Sequence, residues 1–98
     1  MQRTLFDADE PIRIRRPTDD EISRTRKRHP GMLLLFRVGE SYQLFDEDAT
    51  LASHLLGLEQ RSPSRPVVSF LADNLQAHLR RLLHAGHRVA ICDRGEGE

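Results

Sequence analysis

The apolar run Met32–Phe36 constrains the fold more than any other feature of the sequence. It is the longest uninterrupted apolar stretch in the 98 residues, and it is far shorter than the ~20 apolar residues that a membrane-spanning helix needs. Its length is typical of a central strand covered on both faces. Gly39-Glu40 then favours a short turn, and Ser41–Phe45 returns as a second strand of a predicted β-hairpin. Side chains alternate between the two faces of a strand. Tyr42 and Leu44 are therefore expected on one face of the second strand, and Ser41, Gln43 and Phe45 on the other.

A first helix is predicted before this hairpin. Thr18 and Glu21 form a capping box, in which each side chain accepts a hydrogen bond from the other residue's backbone N–H. Acidic residues in the first turn and basic residues in the last turn complement the helix dipole. The helix is expected to run from about Asp19 to His29, where Pro30-Gly31 ends it.

Two further helices are predicted after the hairpin. Asp46 is expected to cap the second helix, and Gly57 is expected to end it in the left-handed conformation. Asp73 or Asn74 is expected to cap the third helix, which Gly86 ends. The third helix carries an apolar stripe at helical spacing, formed by Leu75, Leu79, Leu82 and Leu83.

Short strands flank the third helix, Val67–Phe70 before it and Arg88–Cys92 after it, the latter expected to be buried. A strand, helix and strand with short connections predict two parallel strands. Ile12–Arg15 alternates apolar and basic residues and is a candidate edge strand. The predicted fold class is therefore α/β, a single domain with a mixed β-sheet flanked by three helices. We expect an N-terminal segment at 1–17, the domain at 18–94 and a flexible tail at 95–98.

Charge and cysteine content narrow the function classes. The formal net charge is zero, which argues against a strongly basic nucleic-acid-binding surface. Fourteen of the fifteen basic residues are arginine, which suits phosphate recognition but fits a solvated helix face equally well. Cys92 is the only cysteine, so an intrachain disulfide cannot form. The start of the chain is acidic where a secretory signal would be apolar, and we expect a cytoplasmic protein that does not contact a membrane.

The sequence contains no convincing catalytic or metal-binding pattern. His84, His87 and Cys92 form one loose set, whereas a structural zinc site takes four ligands from paired short spacings. Cys92 ends an apolar strand and is expected to act as a small buried hydrophobe. Neither a nucleophile elbow nor a glycine-rich phosphate loop occurs. We therefore expect no enzymatic activity, no metal and no cofactor.

Two blocks of the sequence resemble the amino-terminal mismatch-recognition domain of the MutS DNA mismatch-repair family. The first, HPGMLLLFRVGESYQLFDEDATLASHLLGLE, spans His29–Glu59, and the family carries F-R-M-G-D-F-Y-E-L-F at the corresponding place. The second, HAGHRVAICDR, spans His84–Arg94 and is similar to the family's N-Q-G-x-x-V-A-I-C-E-Q. The resemblance implies the fold of that domain, DNA as a partner and a relation to DNA mismatch repair.

The chain departs from the family where the family reads DNA. The family's Phe-Tyr-Glu triplet contacts DNA: its Phe wedges into the duplex and its Glu hydrogen-bonds the mispaired base. The matching positions here are Ser41, Tyr42 and Gln43. Ser41 has no ring to replace lost base stacking, whereas Gln43 can still hydrogen-bond a base edge. We therefore expect no true mismatch recognition.

The resemblance leaves two functions open. In the first, the chain is a stand-alone DNA-binding module that contacts double-stranded or distorted DNA through the Gly39–Gln43 turn, which includes Ser41, Tyr42 and Gln43. Arg37, Arg61 and Arg65 would then contact phosphates. In the second, it is a protein-interaction or regulatory module that kept the scaffold and lost DNA binding. The family's ATPase and clamp, and the strands that complete its sheet, have no counterpart in these residues. We expect Ile12–Arg15 or a second copy of the chain to pair with the open edge, and a larger repair protein is a further candidate partner.

Overall fold

A computed structural model of the protein describes residues 15–62 and 64–93. The helices are α1 (Asp19–Arg28), α2 (Glu47–Leu56) and α3 (Leu75–His84). The strands are β1 (Met32–Val38), β2 (Ser41–Phe45), β3 (Val67–Leu71) and β4 (Arg88–Cys92). A 3-10 turn at Ala72–Asn74 joins β3 to α3. The predicted order of elements and the predicted α/β class with a mixed sheet and three helices are confirmed.

The four strands form one sheet in the order β3-β2-β1-β4. β1 pairs antiparallel with β2 and parallel with β4, and β2 pairs antiparallel with β3. The predicted βαβ pair, β3 and β4, therefore runs in one direction but lies at opposite edges, with two strands between. The reason is that the β1–β2 hairpin occupies the centre of the sheet. β3 pairs with β2 on one side of the hairpin, and β4 pairs with β1 on the other.

The first helix begins as the sequence predicts. The Thr18 Oγ1 accepts a hydrogen bond from the Glu21 N–H at 3.1 Å, and the Glu21 carboxylate accepts one from the Thr18 N–H at 2.9 Å. Its inward side buries Ile22 and Thr25, whose hydroxyl donates to the Glu21 carbonyl at 2.8 Å. The helix ends at Arg28, one residue earlier than predicted.

The caps of the other two helices differ from the prediction. Asp46 and Asn74 occupy the N-cap positions of α2 and α3, but neither side chain makes a capping hydrogen bond. The Asp46 carboxylate binds Arg65 instead, at backbone angles of φ 60° and ψ −129°. The predicted stop signals are confirmed, since Gly57 takes φ 70° directly after α2 and Gly86 takes φ 94° after α3.

The sheet separates two apolar clusters, so that β1 is buried on both faces as predicted. One cluster packs under α2 and α3 and the other under α1. The first contains Leu33, Leu35, Tyr42, Leu44, Ala49, Ala52, Leu56, Val68, Phe70 and Leu82. The second contains Ile22, Leu34, Phe36, Phe45, Val67 and Ala90. The predicted alternation of β2 is therefore confirmed, with Tyr42 and Leu44 on the α2–α3 face and Phe45 on the α1 face.

The prediction that β4 is buried is wrong. Ala90 is its only buried residue, and Ile91 is 40% exposed, because β4 lies at the edge of the sheet that the described strands form. Cys92 is half-buried for the same reason. In the predicted stripe of α3, Leu82 is buried whereas Leu83 is 50% exposed.

Two predictions fall largely outside the described residues. The candidate edge strand Ile12–Arg15 has only Arg15 within the described range, and the predicted tail at 95–98 lies beyond it. Among residues 15–62 and 64–93, the helices are too short and too polar to cross a membrane.

Candidate nucleic-acid interface

The tip of the β1–β2 hairpin presents Ser41 at the surface of the sheet. Val38 and Ser41 close the hairpin as its last cross-strand pair, around the turn Gly39-Glu40. Gly39 has φ 61°, a left-handed conformation that glycine adopts without steric cost. Ser41 is half-exposed at the start of β2. The residue that aligns with the family's aromatic wedge therefore lies at the end of the hairpin and not in the core.

A neighbouring strand braces this tip. The Ala72 N–H donates a 2.8 Å hydrogen bond to the Glu40 carbonyl, which joins the turn to the end of β3. Ser41 pairs with Leu71 across the β2–β3 ladder. Directly opposite residues point to the same face of a sheet, and Leu71 is 56% exposed. The tip thus combines a small hydroxyl with one large exposed apolar side chain.

Tyr42 points away from this surface and into the core. Its side chain is only 3% exposed, and its hydroxyl donates a 2.9 Å hydrogen bond to Asp93 Oδ1. Its ring lies 5.8 Å from the ring of Phe70. Burial, followed by the hydrogen bond and charge of Asp93, raises the pKa of Tyr42. These contacts make Tyr42 an anchor between β2 and the residue that follows β4.

Arg37 lies over the same ring. Arg37 and Tyr42 are cross-strand partners, and the guanidinium carbon is 5.5 Å from the ring centroid. The Arg37 Nε donates a 2.7 Å hydrogen bond to the Gly39 carbonyl. The half-exposed guanidinium is therefore held beside the turn, within the hairpin itself.

Gln43 shares the α1 face of β2 with Ser41. It is half-buried between its cross-strand neighbours Phe36 and Ser69. Its Oε1 atom is buried and accepts no hydrogen bond from the described residues. An unsatisfied buried acceptor costs about 1–3 kcal/mol. Gln43 is thus an acceptor that could gain a donor if its side chain turned outwards.

Arg65 is bound to carboxylates rather than exposed to a partner. Its Nε and a terminal nitrogen donate to the two oxygens of Asp46 at 2.8 and 2.9 Å, and a second terminal nitrogen contacts Asp19. The hydrogen bond from Arg65 lowers the pKa of Asp46, and the two carboxylates raise the pKa of Arg65. The guanidinium also lies 5.8 Å from the centroid of the Phe45 ring. The cluster connects the starts of α1 and α2 to the loop before β3.

The predicted site residues form two groups at opposite ends of β2. Arg37, Tyr42 and Gln43 surround the tip near Ser41, whereas Arg61 and Arg65 lie in the loop that enters β3. The Arg61 N–H donates to the Val67 carbonyl at 2.8 Å, and Val67 pairs with Phe45 at the far end of β2. The two ends of β2, Ser41 and Phe45, are four residue steps apart, which is about 14 Å. The side chain of Arg61 is exposed.

The sequence did not single out Leu71 or Asp93. Leu71 ends β3 beside the hairpin tip. Asp93, the residue after β4, accepts the hydrogen bond from the Tyr42 hydroxyl. Both positions depend on the strand order, which the sequence predicted only in part. Within the part of the chain that the structure describes, no three His, Cys, Asp or Glu side chains are grouped as a metal site would need.

Comparison with known proteins identifies the family of this chain. The family model described as MutS domain I matches residues 17–98. The chain belongs to the MutS domain I family. It is 37% identical over 90 residues to a DNA mismatch repair protein MutS from Salinibacter ruber, covering 86% of this chain and 10% of that protein. The corresponding protein of Methanothrix thermoacetophila is 37% identical over 87 residues, covering 82% of this chain and 10% of its own length. The chain thus spans about a tenth of the length of these curated relatives.

Proposed function

We propose that this MutS domain I chain is a DNA-binding module that contacts double-stranded or distorted DNA through the β1–β2 tip, without true mismatch recognition. The observation that carries the proposal is the half-exposed Ser41 at the start of β2, in a chain of a mismatch-repair family. The module acts by binding and not by catalysis, in the cytoplasm and beside a larger repair protein.

The absence of mismatch recognition follows from the chemistry of the tip. A wedge unstacks a base step and replaces the lost stacking with its own apolar surface. An aromatic side chain contributes about 1–3 kcal/mol per stacked base, and serine contributes none of this. Since 1.4 kcal/mol is tenfold in affinity, restoring the ring would raise mismatch preference by roughly 5- to 150-fold.

The proposed DNA contacts are not equivalent. Arg37 and Arg61 are the stronger candidates for phosphate contacts, since Arg65 would first have to leave Asp46 and Asp19. Tyr42 would not touch DNA, because its ring is buried in the core. It would instead hold the hairpin tip in place from the core side of β2. Gln43 would supply hydrogen bonds to a base edge after its amide turns outwards.

Gel mobility assays with matched, mismatched and forked duplexes at two salt concentrations test the proposal. We expect binding that weakens steeply with salt and shows no preference for the mismatch. Arg61→Ala should weaken binding to all duplexes alike and reduce the salt slope by about one, whereas Arg80→Ala, an exposed arginine of α3, should have no effect. Absence of binding at low salt would remove the proposal.

The double variant Ser41→Phe/Gln43→Glu tests the tip directly. We expect it to gain a preference for the mismatched duplex, because the ring and the carboxylate return to the positions that the family uses. Ser23→Phe, which adds a ring to an exposed position on α1, is the matched control. If the double variant binds DNA without any preference, then DNA approaches the module by another surface.

A second candidate function is a protein-interaction module. It is favoured by the enclosure of Arg65 between two carboxylates and by the exposed Leu71 beside Ser41. Both features suit a partner of lower charge than DNA. Failure to bind any duplex at low salt, combined with an unchanged fold by circular dichroism, would favour this function.

A further inference from the structure

Leu71 is the most exposed large apolar side chain among the described residues. It is 56% exposed at the end of β3, directly opposite Ser41 in the β2–β3 ladder. Directly opposite residues share one face of a sheet, and Ser69, two residues earlier in β3, lies on that face too. Because both neighbours are small, neither of them covers the leucine side chain.

The backbone on both sides of Leu71 is held in place. Leu71 is the last residue of β3 in the ladder with β2. The N–H of the next residue, Ala72, donates a 2.8 Å hydrogen bond to the Glu40 carbonyl in the hairpin turn. A group that is already ordered loses little conformational freedom on binding. Leu71 is therefore a preorganised apolar contact at the hairpin tip.

The apolar surface that DNA offers to such a contact is the face of a base pair. In an intact duplex each face is covered by the next base pair, and a side chain that enters must first unstack that step. At a gap in one strand, the last base pair has an open face, so an apolar side chain packs on it without that cost. A leucine beside Ser41, which has no ring to replace lost stacking, therefore suits an open face better than an intact stack.

The charges around Leu71 favour the same target. Asp73 follows Leu71 by two residues, and Glu40 is joined to the end of β3 by the hydrogen bond from Ala72. Both acidic side chains are exposed. Carboxylates repel phosphates, and phosphates line both walls of the grooves, of which the minor groove is only about 6 Å wide. The open face of a base pair has phosphates at its rim alone, so Leu71 reaches the bases there against the least repulsion.

We propose that Leu71 packs on the open face of the last base pair at a gap or fork in DNA, where duplex meets single strand. The inference rests on the proposed DNA binding at the β1–β2 tip and names the DNA structure that the tip selects. The hydroxyls of Ser41 and Ser69 share the face of Leu71 and can hydrogen-bond the first unpaired base. A single mismatch interrupts neither strand and opens no base-pair face, so matched and mismatched duplexes still bind equally.

Surface plasmon resonance with two DNA substrates tests this contact in the full-length chain. Both are the same duplex held on streptavidin through biotins at both ends, which blocks the terminal base pairs, and one carries a gap of several nucleotides in one strand. About half of the leucine side chain is still exposed, and burying that half corresponds to roughly 4- to 15-fold in affinity. We expect the gapped duplex to bind more tightly than the intact one by that factor at low salt.

Three variants separate the leucine from other contributions. Leu71→Ala should lower the affinity for the gapped duplex to that for the intact one, and it should leave the salt dependence unchanged because no phosphate contact is lost. Leu71→Met should keep the preference, since methionine retains a long apolar side chain. Leu83→Ala, which truncates a similarly exposed leucine in the last turn of α3, is the matched control and should bind both duplexes as the wild type does.

The two possible failures give different results. If the wild type binds neither duplex at low salt, the proposed DNA binding fails and this inference fails with it. If the wild type binds both duplexes equally, or if Leu71→Ala keeps the preference or weakens binding to both duplexes by the same factor, DNA binding stands and the packing of Leu71 on an open base-pair face is refuted.

Discussion

Replacing Tyr42 with phenylalanine tests how the hairpin tip is held to the rest of the sheet. The change removes one hydroxyl and leaves the ring in contact with Phe70 and Arg37. The lost interaction is the 2.9 Å hydrogen bond to Asp93. Because the ring keeps its volume, the variant creates no cavity, and the hydrogen bond is the quantity that the experiment measures.

The expected loss of stability follows from the exposure of the two partners. A hydrogen bond to a charged group contributes about 1.5–3 kcal/mol. Tyr42 is 3% exposed, but Asp93 is half-exposed and can be solvated by water once the hydroxyl is gone. The lower value therefore applies, about 1.5 kcal/mol, which corresponds to a fall in melting temperature of about 6 to 12 °C in a domain of this size.

Thermal unfolding followed by circular dichroism measures this effect, with Asp93→Asn as the matched control. The neutral amide still accepts from the Tyr42 hydroxyl, so Asp93→Asn should cost less, about 0.5–1 kcal/mol. If Tyr42→Phe leaves the melting temperature unchanged, the hydrogen bond does not anchor the tip.

The pH dependence tests the environment of the Tyr42 hydroxyl, whose pKa is raised first by burial and then by the hydrogen bond and charge of Asp93. The pKa of Tyr42 lies above its ordinary value of 10.0, so the folded chain keeps a proton that the unfolded chain has lost. The stability that depends on the protonated Tyr42 hydroxyl is present below pH 10, and it is lost as the pH rises from 10 to the pKa of Tyr42 in the folded chain. Tyr42→Phe should remove this loss. Tyr42 is the only tyrosine and tryptophan is absent, so the tyrosinate absorbance reports this residue alone.

Three further variants test other parts of the account. Asp46→Gly should be more stable than Asp46→Ala by about 1 kcal/mol in urea unfolding, because both lose the Arg65 contact and only glycine accepts φ 60° without strain; equal stability would contradict this strain. Thr18→Ala should lower the unfolding free energy by about 1 kcal/mol through loss of the α1 cap, whereas an unchanged midpoint would show that the cap contributes nothing. Asp48→Asn should stay within about 1 kcal/mol of wild type at neutral pH, since the amide still accepts from the Leu34 N–H, and Asp48→Leu should cost about 1–3 kcal/mol. Burial raises the pKa of Asp48 above 3.8, so acidification towards pH 3.8 should stabilise the wild type relative to Asp48→Asn; the opposite slope would refute the assignment.

Local signals in the sequence predicted most of the fold. The capping box at Thr18, the turn at Gly39-Glu40 and the stop at Gly57 each depend on residues close together in the chain. The apolar run Met32–Phe36 likewise fixed the central strand. The exposure of β4 was missed, because Arg88–Cys92 has the composition of an inner strand and its position at the edge depends on long-range pairing.

The candidate site was less predictable for the same reason. The position of Ser41 follows from the hairpin alone. The burial of Tyr42, by contrast, depends on Asp93 and Phe70, which are brought to it by β4 and β3. The binding of Arg65 by Asp19 and Asp46 joins residues far apart in sequence, and no local pattern indicates such a contact.

The equilibrium affinity of the wild-type chain for a matched and a mismatched duplex tests the central claim most directly. Fluorescence anisotropy titrations at low salt give both dissociation constants for duplexes that differ in one base pair. We predict measurable binding with the two constants equal, because Ser41 at the tip supplies no stacking surface. Binding of the mismatched duplex roughly tenfold or more tightly would contradict the account.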